Sequence, residues 1–228
     1  MGRQQWFGVL AWLASGAASW GLLSIPAEAV PKLVVLVRHG HKDSPVAPLS
    51  NYNLSSRGLV GALHLGHLLR ACVMPEGPLA LASYGFDGRT GKNARSYQTL
   101  VPLAVFTGRN IRVFADAEER SEQIGRELLA APELTGSTLV MAWEHRRLPT
   151  LARGLGWAHM PSIGDDDFDG LWLLSYSALA GEPVVRQLSQ AELRSRTCFM
   201  APGSAGHPLR LLAEQLLQPL QRTSPAAR

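Results

Sequence analysis

The sequence predicts an α/β fold, a three-layer α/β/α sandwich around a largely parallel central sheet, on three observations. Lys32–Val37 is a short, almost wholly apolar run with three valines, which is how a central parallel strand covered on both faces reads. Three further runs have the same character: Pro78–Ser83, Thr138–Trp143 and Gly170–Ser177. Helical patterns separate them, and strands alternating with helices build such a sandwich.

The elements follow in order. Ser55 or Ser56 caps a first helix running through Leu63, His67 and Leu69. A second helix spans Ala94–Phe106, and a third spans Arg120–Leu129, ended by Pro132. Glu182–Ser189 alternates enough to be an edge strand, paired with Gly170–Ser177 through a turn at Gly181. His207–Gln221 reads as a closing amphipathic helix, and Thr223–Arg228 as a frayed end.

The chain has 228 residues, 46% hydrophobic and 18% charged, with a mean hydropathy of +0.02. That composition excludes a disordered chain, a coiled coil and a multi-span membrane protein. The net charge is +4. No Lys/Arg run is long enough to suggest nucleic acid, and anionic small molecules suit the balance better. Cys72 and Cys198 are the only cysteines, which excludes a Cys-rich zinc site and permits one internal disulfide.

The first thirty residues depart from this average. Arg3 precedes the apolar stretch Trp6–Ile25, and the segment ends Ile25-Pro26-Ala27-Glu28-Ala29. A basic start, an apolar middle and an A-x-A end describe a secretory signal peptide, residues 1–29. Cleavage after Ala29 leaves one domain, residues 30–228, secreted or periplasmic and without stable membrane association. The alternative is an uncleaved helix anchoring the protein to a membrane.

Ligands of such sheets bind beyond the carboxyl ends of the strands, so the residues that follow each apolar run matter most. Arg38-His39-Gly40-His41-Lys42 follows the first run, and Glu144-His145-Arg146-Arg147 follows Thr138–Trp143. Asn93-Ala94-Arg95-Ser96-Tyr97-Gln98-Thr99 opens the second helix. Histidines and arginines thus reach one rim of the sheet from three strand ends.

Such a cluster suits phosphoryl transfer through a histidine. A neutral imidazole attacks at neutral pH, and nearby guanidinium groups favour that neutral form. Arginine forks match phosphoryl oxygens, and Gly40 is expected to leave room for a phosphate beside the nucleophile.

Arg38-His39-Gly40 after a buried strand resembles the signature of the histidine phosphatase superfamily. Further segments extend the likeness: Leu54–Gly58, Arg95–Thr99, Trp143-Glu144-His145 and Phe168–Trp172, the last resembling a bacterial branch that reads Arg-His-x-Glu-Lys. The resemblance implies a phosphoglycerate mutase-like fold. It implies His39 as nucleophile forming a phosphohistidine, with Arg38, Arg95 and His145 completing a phosphate pocket. Lys42 would touch a non-reacting phosphate oxygen; a solvated loop lysine is the alternative. Two departures stand out: His41 replaces the Glu of that branch, and Arg146-Arg147 follows His145. They leave the general acid open between Glu144, slightly favoured, and Glu118 or Glu119. Consecutive residues of an extended stretch point opposite ways, so Glu144 can share a cleft with His145 only if the chain leaves that alternation.

Three other motifs read as structure. His64 and His67 lack an acidic or cysteine partner for a metal. Asp165–Gly170 lacks the spacing of a calcium loop and reads as a solvated turn. Gly85–Lys92 departs from the P-loop spacing. The expectation is a metal-independent phosphomonoester hydrolase without cofactor, acting on a small-molecule phosphomonoester, its oligomeric state open. An inactive phosphate-binding or structural relative is the alternative. A phosphoglycerate mutase stands third, because a secretory leader removes the chain from glycolytic substrates.

Overall fold

The computed structural model describes residues 30–42, 51–177 and 182–195. The signal peptide, Gly181 turn and closing helix His207–Gln221 expected from the sequence, and Cys198, lie outside the described residues. Cys72 is disulfide-bonded. No helix among the described residues is long and apolar enough to cross a membrane.

In chain order come β1 (Leu33–Arg38), α1 (Ser56–Leu68), β2 (Leu79–Tyr84), α2 (Ala94–Thr107), β3 (Ile111–Phe114) and α3 (Ala117–Leu129). Then follow β4 (Thr138–Trp143), α4 (Leu148–Gly154), β5 (Gly170–Ser175), β6 (Val184–Ser189) and α5 (Gln190–Arg194). The strands form one sheet in the order β3-β2-β4-β1-β5-β6. Its first four members are parallel, while β5 and β6 run antiparallel as an edge pair.

The predicted sandwich is present, and β1 shows why. All six of its residues are buried, and they alternate between two cores. Val34 and Leu36 pack with Ile124, Leu128, Leu148 and Leu151 of α3 and α4. Leu33, Val35 and Val37 pack with Leu65, Leu68, Leu100 and Leu103 of α1 and α2. A strand covered on both faces has no polar side, hence the unbroken apolar run.

Three elements were not expected from the sequence. β3 has only four residues, and its two middle ones, Arg112 and Val113, are exposed. α4 is seven residues long with a proline in its first turn, and α5 has five residues. α3 also begins three residues before Arg120, at Ala117. Helices this short carry too few turns to display a period.

Two close approaches hold the strand ends in place. The Ser55 hydroxyl accepts from Gly58 N at 3.0 Å, and Ser55 N donates to the His41 carbonyl at 3.0 Å, so the cap of α1 grips the loop after β1. A Cβ on Gly58 would lie 2.2 Å from that carbonyl, so only glycine fits there.

Candidate active site

The parallel strands β1, β2 and β4 end on the same rim, and the loops beyond them enclose a cleft of about 560 Å³. Every residue expected to act faces it: Arg38, His39, Lys42, Arg95, Glu144 and His145. Tyr52, Lys92, Asn93, Glu118, Arg146 and Arg147 complete the wall, and Glu119 does not line it. A second hollow of about 430 Å³ lies across Arg38, lined by His41, Arg57 and Phe168 among others, but neither His39 nor His145 reaches it.

His39 is 5% exposed, and its Nδ1 lies 2.9 Å from the Gly40 carbonyl oxygen. A carbonyl only accepts, so Nδ1 carries the proton and Nε2 keeps its lone pair. The His39 pKa is pushed down to about 3, and burial is the largest cause. The charges of Arg95, Arg38 and His145 add to it in that order. The guanidinium groups that the sequence suggests as the cause therefore come second to desolvation.

Gly40 differs from expectation. A Cβ there would meet Leu54 Cδ2 at 3.0 Å and the Gly58 carbonyl at 3.2 Å, so its openness admits the start of α1 rather than a phosphate. Gly40 N donates to Thr99 Oγ1 at 2.8 Å, and that hydroxyl donates to the Arg95 carbonyl at 2.7 Å. The pair ties the loop after β1 to the first turn of α2 and so sets Arg95 relative to His39.

Arg38 is 5% exposed. Its Nη1 donates to the carbonyls of Gly164 at 2.7 Å and Asp167 at 2.8 Å, and its guanidinium lies on the Phe168 ring. His145 stands edge-on to His39, ring centroids 5.8 Å apart, and its Nε2 lies 2.9 Å from Asp165 Oδ1. The contact with His145 holds the Asp165 carboxyl below its usual range. Asp165–Gly170 is the exposed turn entering a strand that the sequence predicts, and residues 164–168 also brace the site through Arg38 and His145. Neither Asp165 nor Phe168 was foreseen as functional; the one signal was an aromatic residue inside an acidic run.

Among the described residues, five buried side-chain polar atoms lack a hydrogen-bond partner, and three belong to this cleft: Arg38 Nε, Arg95 Nε and His145 Nδ1. Glu144 Oε1 lies 2.9 Å from His145 Nδ1, but off the direction a hydrogen bond requires, so Nδ1 stays unpaired. Buried polar groups are paired as a rule. Two unpaired guanidinium N–H groups beside His39 describe a place for an anion.

Glu144 reaches the cleft because the chain turns there. The amides of Arg147 and Leu148 both donate to the Glu144 carbonyl at 3.0 Å, which ends the strand alternation and lets Glu144 and His145 share a cavity. Glu118 is engaged otherwise: its carboxylate accepts from the Tyr84 hydroxyl and from Arg147. Those bonds, the tyrosine's first, hold its carboxyl below the usual range, which suits a fixed anion better than a proton donor.

Ligand atoms of His39, Glu144 and His145 lie within 4.8 Å of one another, a spacing that would also hold a metal ion. Arg95 and Arg38 already act on His39 with positive charge, and a further cation would meet that repulsion. The arginines beside this set suit an anion better.

No family model matches the chain, and no curated protein matches it. Among solved structures, the chain is similar to the protein histidine phosphatase SixA complexed with tungstate, at 16% identity and a TM-score of 0.44, covering 71% of this chain and 99% of that one. It is similar to phosphoglycerate mutase from Bacillus anthracis str. Sterne, at 10% identity and a TM-score of 0.46, covering 73% and 97%. It is also similar to phosphoglycerate mutase from Plasmodium falciparum, at 14% identity and a TM-score of 0.39, covering 69% and 90%.

Proposed function

We propose that this chain is a phosphomonoester hydrolase of the histidine phosphatase type, working through a phosphohistidine on His39 without a metal. The observation that carries the reading is the pairing of a committed imidazole with unpaired cations. His39 Nδ1 is bound to the Gly40 carbonyl, while Arg38 Nε and Arg95 Nε beside it are buried and without partners.

In the first step Nε2 of His39 attacks phosphorus, the N–P bond forms and the ester P–O bond breaks. Arg38 and Arg95 hold the equatorial oxygens, where charge gathers in the transition state. His145 closes the pocket beside His39, and Lys42 meets a non-reacting oxygen. Glu144 supplies the proton that the departing oxygen takes up. In the second step a water attacks phosphorus, Glu144 recovers the proton, and the N–P bond breaks to release phosphate. The Nδ1 bond to Gly40 persists throughout and keeps the ring in one orientation. With the leader of residues 1–29, the same reading makes the enzyme an exported one.

The test is hydrolysis of p-nitrophenyl phosphate by the full chain and by His39→Ala, each with and without EDTA. Turnover by the wild type alone, indifferent to EDTA, is expected. Equal rates for the two proteins would overturn the nucleophile assignment. Activity lost to EDTA would overturn the metal-free mechanism. Phosphate binding without turnover would mark an inactive relative.

A further inference from the structure

Six cationic side chains face the cleft against the two carboxylates of Glu118 and Glu144, more than one phosphoryl group needs. Arg147 is paired with Glu118. Arg38 and Arg95 lie deep beside His39, where a phosphomonoester dianion would offset them. Lys42, Lys92 and Arg146 remain at the mouth, all exposed and all lining the same cavity. Among the described residues none of these three has a carboxylate within 4 Å. Asp165 senses the charge of Arg146 only through space.

Some arginines elsewhere are paired with carboxylates, Arg120 with Asp116 and Glu127, and Arg126 and Arg153 with Glu122; what sets the three at the mouth apart is that they share one cavity. Like charges gathered at a cleft mouth repel one another, and a cleft lined by one sign concentrates ligands of the other. Lys92 and Arg146 come from separate segments, the loop before α2 and the turn after β4, yet they border one opening.

We propose that Lys92 and Arg146 form a second anion locus, and that the substrate is a phosphomonoester carrying a further phosphate or carboxylate. This rests on the phosphohydrolase reading of the inner pocket. The inner arginines and His39 take the phosphoryl group that is transferred, and the outer pair takes the group that stays.

Non-hydrolysable probes test this apart from turnover. Affinities of the full chain for methylphosphonate, methylenebisphosphonate and phosphonoacetate are measured by calorimetry, then repeated with a Lys92→Gln/Arg146→Gln variant. At least one two-anion probe should bind the wild type tenfold or more tightly than methylphosphonate. In the double variant that advantage should shrink to within about twofold, while the circular dichroism spectrum stays that of the wild type. The bisphosphonate leading points to a second phosphate, and phosphonoacetate leading points to a carboxylate. Equal affinities in the wild type, or an advantage that survives in the double variant, would overturn the second locus. Measurable methylphosphonate binding in that case would leave the inner pocket standing; a chain that binds none of the three overturns both readings.

Discussion

The guanidinium carbon of Arg38 lies 3.8 Å from the centroid of the Phe168 ring. The same arginine donates through Nη1 to the carbonyls of Gly164 and Asp167. A flexible side chain at the end of β1 is thus clamped by residues 164–168, while its Nε is buried without a partner.

That clamp should be measurable through Phe168→Ala. Stacking of a cation on an aromatic ring is worth about 0.5–2 kcal/mol. The variant should therefore lose about tenfold in kcat/KM toward p-nitrophenyl phosphate while its circular dichroism spectrum is unchanged. Phe168→Tyr keeps the ring face and should retain most of the activity.

Arg95→Lys tests the unpaired donors. Lysine keeps the charge but cannot present the planar fork. Losing one charge-assisted bond to phosphate is worth about 2 kcal/mol, so inhibition by inorganic phosphate should weaken about thirtyfold. Unchanged inhibition would place the phosphate elsewhere.

The general acid is read from the leaving group. p-Nitrophenolate departs without a proton, so Glu144→Gln should hardly change its release. Hydrolysis of an alkyl phosphate by that variant should fall by roughly a hundredfold or more. Glu118→Gln should treat the two esters alike, since its carboxylate is already engaged by Tyr84 and Arg147. The opposite pattern would exchange the two roles.

His39 also ties stability to pH. Burial holds its pKa down to about 3 in the folded chain, against about 6.5 when unfolded. Its contribution is complete above pH 6.5 and is lost as pH falls, because the unfolded chain then binds a proton that the folded chain refuses. Between pH 6.5 and 3 the slope reaches at most about 1.4 kcal/mol per pH unit. Urea denaturation at several pH values in this window should show a shallower dependence for His39→Asn than for the wild type. Parallel curves would show that the imidazole is not desolvated.

The sheet was legible because β1 and β4 have no polar face to hide. Leu33–Val37 and Thr138–Trp143 could only be covered on both sides. β3, α4 and α5 were too short to show a period. In the site, Arg38, His39, Arg95, Glu144 and His145 were legible because fold class alone puts strand ends on one rim. Asp165 and Phe168 were not, since they meet His145 and Arg38 at other strand ends, and an aromatic residue inside an acidic run was the sole local mark. The cause of the His39 shift was misread for a related reason: sequence shows charges, whereas desolvation belongs to the folded chain.

The central claim is that His39 carries the phosphoryl group. Rapid quench of the wild-type chain during turnover of a phosphomonoester, followed by peptide mass spectrometry under alkaline conditions, tests it directly. A phosphoryl adduct on the peptide containing His39, absent from His39→Ala, is the predicted result. An enzyme that turns over while its His39 peptide stays unmodified, or a His39→Ala variant that is phosphorylated and active, would contradict it.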